Sequence, residues 1–342
     1  MKSFRGLRLV ACFLAAVLAT IAAPEARAQT PVKFSLDGKL EGQAAPFLVP
    51  IDKGYYKSEG LDVTVDPAAN SLEAITRVAT GGYDMAFADI NTLIRYRDQN
   101  PASDLRAVFM VYNKAPYAVI GRKSRGVAKP PDLEGKKLGA PAADSAFAQW
   151  KIFAKSAGVD ASKVAIENIG LPVREPMLAA GQVDAITGFS FSSFVNLKDR
   201  GVAVDDIVVM PMADYGINLY GAAIIVSGKF AAEKTDAVKG FLRAFLRGLK
   251  DSAKDQPAAI ESVLKRNDAA KKEVEVERLR MALRDSILTS EVKANGYGAV
   301  DPRRFAETIE QTALAYEYKD KAKAAAAFDA SFLPPANERK AP

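Results

Sequence analysis

The sequence predicts an α/β protein built as two similar lobes, each a mixed, mostly parallel sheet flanked by helices. Three observations carry this. Short apolar, β-branched runs alternate with amphipathic stretches through most of the chain, the pattern of strands covered on both faces by helices. A phrase also repeats. Arg77-Val78-Ala79-Thr80-Gly81-Gly82-Tyr83-Asp84-Met85-Ala86-Phe87 is echoed by Met177-Leu178-Ala179-Ala180-Gly181-Gln182-Val183-Asp184-Ala185-Ile186-Thr187, each reading helix, glycine, two residues, aspartate, strand. Finally, a chain of 342 residues is long enough for two hydrophobic cores.

Residues 1–28 are set apart from the fold. Lys2, Arg5 and Arg8 make a basic start, 9–23 is apolar, and Ala26-Arg27-Ala28 is a small-residue cleavage pattern before Gln29, so an export signal is expected. The apolar run is shorter than the ~20 residues of a membrane span. Leu9-Val10-Ala11-Cys12 has the outline of a lipoprotein acylation box, but it opens the apolar region instead of closing it. Removing the signal takes away four bases and one acid, lowering the formal net charge from +6 to +3. With both signs interspersed, that is a solvated surface and not a nucleic-acid footprint. The lone cysteine, Cys12, leaves too, and the chain has no histidine. Disulfides, thiolate chemistry, Ser-His-Asp systems and His-ligated zinc are excluded.

Residues 32–36 read as a strand. Residues 44–53 read as a helix with Pro46 in its first turn and Pro50 deeper, where a kink is expected. Gly54 and Gly60 then permit tight turns. In 61–65, Leu61, Val63 and Val65 alternate with Asp62 and Thr64, as in a strand. Ser71 is the expected N-cap of a helix over 72–80, with Leu72, Ile75, Val78 and Ala79 on one face and Gly81 closing it. Strand 83–88, helix 90–97, and strands 105–112 and 117–122 follow. After a linker at 126–131 containing Pro130-Pro131, the alternation restarts. Strand 136–139, helix 145–157, strand 163–168, helix 175–180, strand 183–188 and helix 191–200 succeed one another. From 235 onward the chain reads as almost entirely helical, with a frayed tail after 332.

The stretch Ile51-Asp52-Lys53-Gly54-Tyr55-Tyr56-Lys57-Ser58-Glu59-Gly60-Leu61-Asp62-Val63-Thr64-Val65 resembles a phrase of one known family. These are the periplasmic solute-binding proteins for nitrate, sulfonate, taurine and thiamine-pyrimidine ligands, and the likeness extends over about residues 32–226. It implies a clamshell of the type II periplasmic-binding-protein kind, with ligand held between lobes at strand C-terminal ends. The chain is expected to cross between lobes at 113–116 and 212–220. That makes lobe 1 from 29–115 and 217–332, lobe 2 from 116–216, and 333–342 a flexible tail.

Cleft positions then follow from topology. The first loop supplies Asp37, Lys39 and Glu41. Where the resembling pyrimidine binders have Asp-Trp, Asp37 stands but Gly38 occupies the tryptophan position, leaving that stacking contact open. Asp89 either accepts a hydrogen bond from ligand or caps the next helix. Ser145, in a loop resembling the family's Gly-x-Pro…Ser element, faces a helix N-terminus that favours a polar group, with Asp144 either capping or disfavouring a full anion. Arg174 either neutralises a ligand carboxylate or lies on the surface. Phe189, Ser190 and Phe191 follow a strand where aromatic rings suit a planar ligand. Tyr215 and Asn218 lie at the second crossing, where the family has a Tyr-Gly element. Trp150, with Phe147 and Ala154 on its face, reads as core, and Tyr55 and Tyr56 as packing.

The resemblance implies a periplasmic, monomeric solute-binding component of an ABC importer, cleaved after Ala28. It has no cofactor, no metal, no nucleic-acid partner and no catalytic role. Its partners are a small ligand and, transiently, an inner-membrane permease. Asp37, Glu41, Asp89 and Asp144 favour a planar, donor-bearing heterocycle, pyrimidine-like for example, over taurine, an alkanesulfonate or nitrate. A pyrimidine-synthase-like enzyme is disfavoured because its histidine is missing, and a periplasmic sensor is a further alternative.

Overall fold

The structure is a computed structural model that describes residues 28–342. Apart from Ala28, the expected export signal lies outside the described residues. No described helix is long and apolar enough to cross a membrane.

Ten strands among the described residues form two five-stranded sheets. They are β1 Thr30–Ser35, β2 Leu61–Asp66, β3 Met85–Asp89, β4 Arg106–Met110 and β5 Tyr117–Arg122, then β6 Lys137–Gly139, β7 Ala165–Glu167, β8 Ala185–Phe189, β9 Ile207–Pro211 and β10 Ala222–Val226. The first sheet has the order β2-β1-β3-β10-β4 and the second β7-β6-β8-β5-β9. In each, only the fourth strand is reversed: β10 is antiparallel to β3 and β4, and β5 to β8 and β9. That strand is in both cases the first one laid down after the chain crosses from the other sheet. Alternation along it feeds two core layers. Tyr117 and Val119 enter a cluster with Trp150 and Phe153, while Ala118 and Ile120 face one with Leu178 and Leu197.

The repeated phrase has a structural cause. Gly81 and Gly181 both adopt positive φ, 77° and 71°, ending their helices. Asp84 then accepts a hydrogen bond from the Lys33 N–H at 2.8 Å and donates its own N–H to the Lys33 carbonyl at 3.0 Å. Asp184 does the same with Lys137, at 3.0 Å in both directions. Each copy clips the entry of the central strand, β3 or β8, to its parallel neighbour, at Lys33 within β1 or at Lys137 where β6 starts.

The first core is aromatic. Phe34 stacks between Phe47 and Phe241, at 5.0 and 4.9 Å, and Tyr56 stacks on Phe241 at 5.0 Å. The long helix Thr235–Lys254 crosses the helix Ala45–Asp52 at Gly248, where an added Cβ would lie 2.4 Å from Pro50. Pro50 lies in the last turn of the Ala45–Asp52 helix, where its missing N–H leaves the Pro46 carbonyl without its helical partner.

Other expectations need correction. Asn70, not Ser71, caps the helix Ser71–Ala79, accepting from the Glu73 N–H at 3.0 Å; the Ser71 hydroxyl is committed elsewhere. The helix expected over 145–157 begins only as a 3₁₀ turn at Phe147–Gln149 before Trp150–Ser156, because Asp144 and Ser145 form a turn of their own. The tail is not frayed either. The Arg339 carbonyl accepts from the Tyr297 N–H at 2.7 Å, and its guanidinium donates back to the Tyr297 carbonyl at 2.9 Å.

The two crossings, 111–116 and 212–221, lie side by side, joined by the Ala115 N–H to the Leu219 carbonyl at 3.0 Å and the Gly221 N–H to the Tyr112 carbonyl at 2.9 Å, and one side chain reaches both. Arg304 donates to the Asn113 carbonyl at 2.8 Å and to the Leu219 carbonyl at 3.3 Å. It also pairs with Glu291 at 2.9 Å and lies 4.0 Å over the Tyr220 ring.

Candidate functional site

The C-terminal ends of β1 and β3 approach those of β6 and β8, and the candidate site is built where they meet. Asp89, last in β3, is buried. One oxygen accepts from the Thr92 N–H at 2.8 Å and its hydroxyl at 2.9 Å, and the other accepts from the Tyr117 hydroxyl across the cleft. Asp89 thus caps the helix Ile90–Gln99 and faces the other lobe at once. Burial raises its carboxyl above the usual range, although the hydrogen bonds from Tyr117 and Thr92 oppose this.

Asp37 is half-buried and accepts from the Ser71 hydroxyl at 2.9 Å, whose oxygen accepts in turn from the Asp89 N–H at 3.0 Å. Burial, resisted by that hydrogen bond and reinforced by the charge of Asp89, pushes Asp37 up to about 7. The buried Tyr112 hydroxyl is shifted upward by burial and by Asp37, and its ring meets Phe191 edge-on at 6.0 Å. Phe189 lies tilted between Tyr117, at 6.1 Å, and Phe191, at 6.2 Å. Ser145 reaches across the cleft to the Thr92 hydroxyl at 3.2 Å.

Arg174 is not on the surface, and its Nε and Nη2 are engaged. It donates to Glu175 at 2.7 and 3.0 Å and lies 3.7 Å from Asp144. Asp144 accepts from the Thr187 hydroxyl at 2.6 Å, and Glu175 from Ser193 at 2.8 Å. Gly188 makes room, since a Cβ there would sit 3.0 Å from the guanidinium carbon. Burial alone would lower the Arg174 pKa, but Glu175, Asp144 and Glu41 outweigh it and hold the group charged.

The structure therefore gathers Asp37, Asp89, Ser145, Arg174 and Phe189, with the buried Ser190 beside them. Glu41 lies at the edge, 3.7 Å from Arg278. Lys39 and Asn218 point to solvent. Tyr215 packs edge-on against Phe153 at 5.3 Å, within the second lobe's core. Tyr112, Tyr117, Glu175 and Thr187 were missed by sequence reasoning. The first two flank the first crossing, which forms the cleft floor, so that topology was the available signal. Behind Asp89, Asn91 Oδ1 is buried without a partner. It adjoins a cavity of about 10 Å³ lined also by Arg95, Gln149 and Tyr318, room for about one water. A larger groove of about 440 Å³ lies away from the strand ends, along Ala45–Asp52, Thr235–Lys254 and Gln256–Leu264.

The family model described as NMT1/THI5 like matches residues 41–260. The chain belongs to the NMT1/THI5-like family. The matched span of this NMT1/THI5-like chain includes every residue gathered at the site above except Asp37. The chain is 27% identical over 213 residues to the riboflavin-binding protein RibY of Chloroflexus aurantiacus, covering 61% of this chain and 59% of RibY. It thus spans about three-fifths of that relative's length. It is 26% identical over 291 residues to a formylaminopyrimidine-binding protein of Halalkalibacterium halodurans, covering 83% and 86%. A 4-amino-5-hydroxymethyl-2-methylpyrimidine phosphate synthase of Schizosaccharomyces pombe is 23% identical over 226 residues, covering 62% and 64%. Among solved structures, the periplasmic aliphatic sulphonate binding protein SsuA of Escherichia coli shares the fold with a TM-score of 0.70 at 12% identity, covering 87% of this chain and 97% of that one. The periplasmic nitrate-binding protein NrtA of Synechocystis does so at 0.67 and 11%, covering 89% and 87%.

Proposed function

We propose that this protein is the solute-capturing component of an ABC-type importer, working outside the cytoplasm, and that its ligand is a planar heterocycle bearing N–H donors, of pyrimidine or flavin type. One observation carries the choice of ligand: the acids Asp37 and Asp89 converge on a cleft floored by Tyr112, Tyr117 and Phe189. Their carboxyl oxygens accept the ligand's N–H groups, and aromatic faces take its ring. A sulfonate or nitrate would meet Asp37, Asp89 and Asp144, while the nearest cation, Arg174, is already paired to Glu175. The names of the riboflavin- and formylaminopyrimidine-binding relatives support the same choice.

Capture needs no catalytic group, and the histidine-free sequence favours binding over the synthase activity named for one relative. The export pattern at 1–28 and the periplasmic neighbours support delivery from the periplasm to a membrane permease. Ligand would close the lobes by population shift.

The test is calorimetry on residues 29–342 with riboflavin, formylaminopyrimidine, taurine and nitrate. A heterocycle binding at least tenfold tighter than either anion is expected. Taurine or nitrate binding with the heterocycles silent would overturn the ligand assignment.

A further inference from the structure

We propose that Arg278 is a positioning residue, holding the two halves of the cleft in register by tying the first cleft loop to the helix that carries Ser190 and Phe191. It rests on the reading that ligand is captured between the lobes. Arg278 belongs to the helix Lys272–Ala282, C-terminal to both crossings and packed on the first lobe, and it is 2% exposed. On its own side it donates to Glu275 at 2.9 Å and lies 3.7 Å from Glu41. Glu275 also accepts from the Gly42 N–H at 2.6 Å. That seat is close: a Cβ on Gly42 would lie 2.2 Å from the Glu275 carbonyl oxygen. Across the gap, Arg278 donates to Asn196 Oδ1 at 3.0 Å and to the Ser192 carbonyl at 3.4 Å. Both belong to the second-lobe helix Ser190–Asp199.

The lever is built by the crossing. The Ser190 N–H donates to the Pro116 carbonyl at 2.8 Å, and the Lys114 N–H donates to the Ser286 carbonyl at 3.0 Å, just beyond the Arg278 helix. The two helices therefore start from one pivot and run outward side by side for ~13 Å, at 1.5 Å per residue. Beyond Arg278 they are joined by Lys198 with Glu277 and by Lys271 with Asp199, each at 2.8 Å. Bending at the crossing separates these pairs, outermost first. It strands the Arg278 donors that faced Asn196 and Ser192 while leaving Glu275 in place. Separation gives up those two hydrogen bonds and the packing around the Arg278 stem, so the interface favours the arrangement in which the cleft loop and the Ser190 helix face each other. Ligand affinity falls in proportion to the fraction of molecules in that arrangement.

Beyond residue 28 the chain has no cysteine, which permits a direct test. Leu72→Cys and Val173→Cys, 46% and 45% exposed at the parent residues, put one spin label on each lobe of the 29–342 protein. Distances are compared without added ligand among the otherwise unaltered protein, Asn196→Ala, Lys198→Glu, and Lys198→Glu with Glu277→Lys. The expected result is a longer or broader distance distribution in the two single variants and its recovery in the charge-swapped double. Riboflavin, as the binding probe, should bind the single variants about threefold to tenfold more weakly, the range expected of one partly exposed pair or hydrogen bond. Asn196 is half-buried and Lys198 exposed, so both variants report on the interface even if changes at Arg278 itself unfold the protein. A distribution identical to the parent's in Asn196→Ala would overturn the proposal, whatever Lys198→Glu does. Failure of riboflavin to bind the parent would count against the ligand reading, while the distances still decide the role of Arg278.

Discussion

Asp37 is the residue whose chemistry depends most on its surroundings. An aspartate after a strand is ordinary in sequence. Here burial pushes it up to about 7, beside Asp89, whose carboxyl is also raised. Because the folded value lies above the unfolded 3.8, the native state keeps a proton that the unfolded chain has released. Ionisation of Asp37 therefore removes stability as pH rises from about 4 to about 7. Asp37→Asn cannot ionise and still accepts from Ser71. Its melting temperature should rise relative to the parent across that window and hold a constant lead above about pH 8. A lead independent of pH, measured by thermal denaturation in a pH series, would show that Asp37 is not held protonated. Ser71 makes a related point. Its type suggested a cap, yet its hydroxyl bridges Asp37 and Asp89 while Asn70 does the capping, because one side chain further upstream already satisfies the helix N–H group.

Among the elements up to about residue 200, strand and helix types followed from local pattern and most boundaries fell within a few residues, whereas β9 and β10 were not anticipated. One boundary miss has a local cause: Asp144 and Ser145 delay a helix by taking their own turn. The repeated phrase was visible as letters, but not why aspartate occupies it. Both aspartates clip the central strand to its neighbour, and Asp184 additionally receives Arg125 at 2.9 and 3.2 Å. Asp84→Ala and Asp184→Ala should each destabilise by roughly 1–3 kcal/mol, with Asp184→Ala the larger. Urea denaturation of both variants checks the order. Equal losses would mean that Arg125 adds nothing.

At the scale of the whole molecule, the C-terminal third acts as a brace. Arg304 pins both crossings, Arg278 spans the lobes, and the last residues return to Tyr297. Truncation after Pro335 removes the Arg339 contacts and the Lys250–Glu338 hydrogen bond of 2.6 Å. It should lower the melting temperature by several degrees, at about 2–4 °C per kcal/mol for a domain of this size. An unchanged melting temperature would show the tail to be passive. Periodicity, glycine placement and the repeated helix–glycine–aspartate–strand phrase sufficed for two α/β lobes, since these are set by contacts between residues close in the chain. The absence of histidine, and of cysteine beyond residue 28, likewise excluded whole classes of chemistry without any structure. Which side chains face one another could not follow from pattern, because they lie far apart in sequence. Asp89 meets Tyr117 across 28 residues, and Arg278 meets Asn196 across 82. Those encounters exist only because two crossings bring strand ends and helices of the two sheets together, and burial there, rather than residue type, decides which acids are pushed above the usual range and which arginine is already paired.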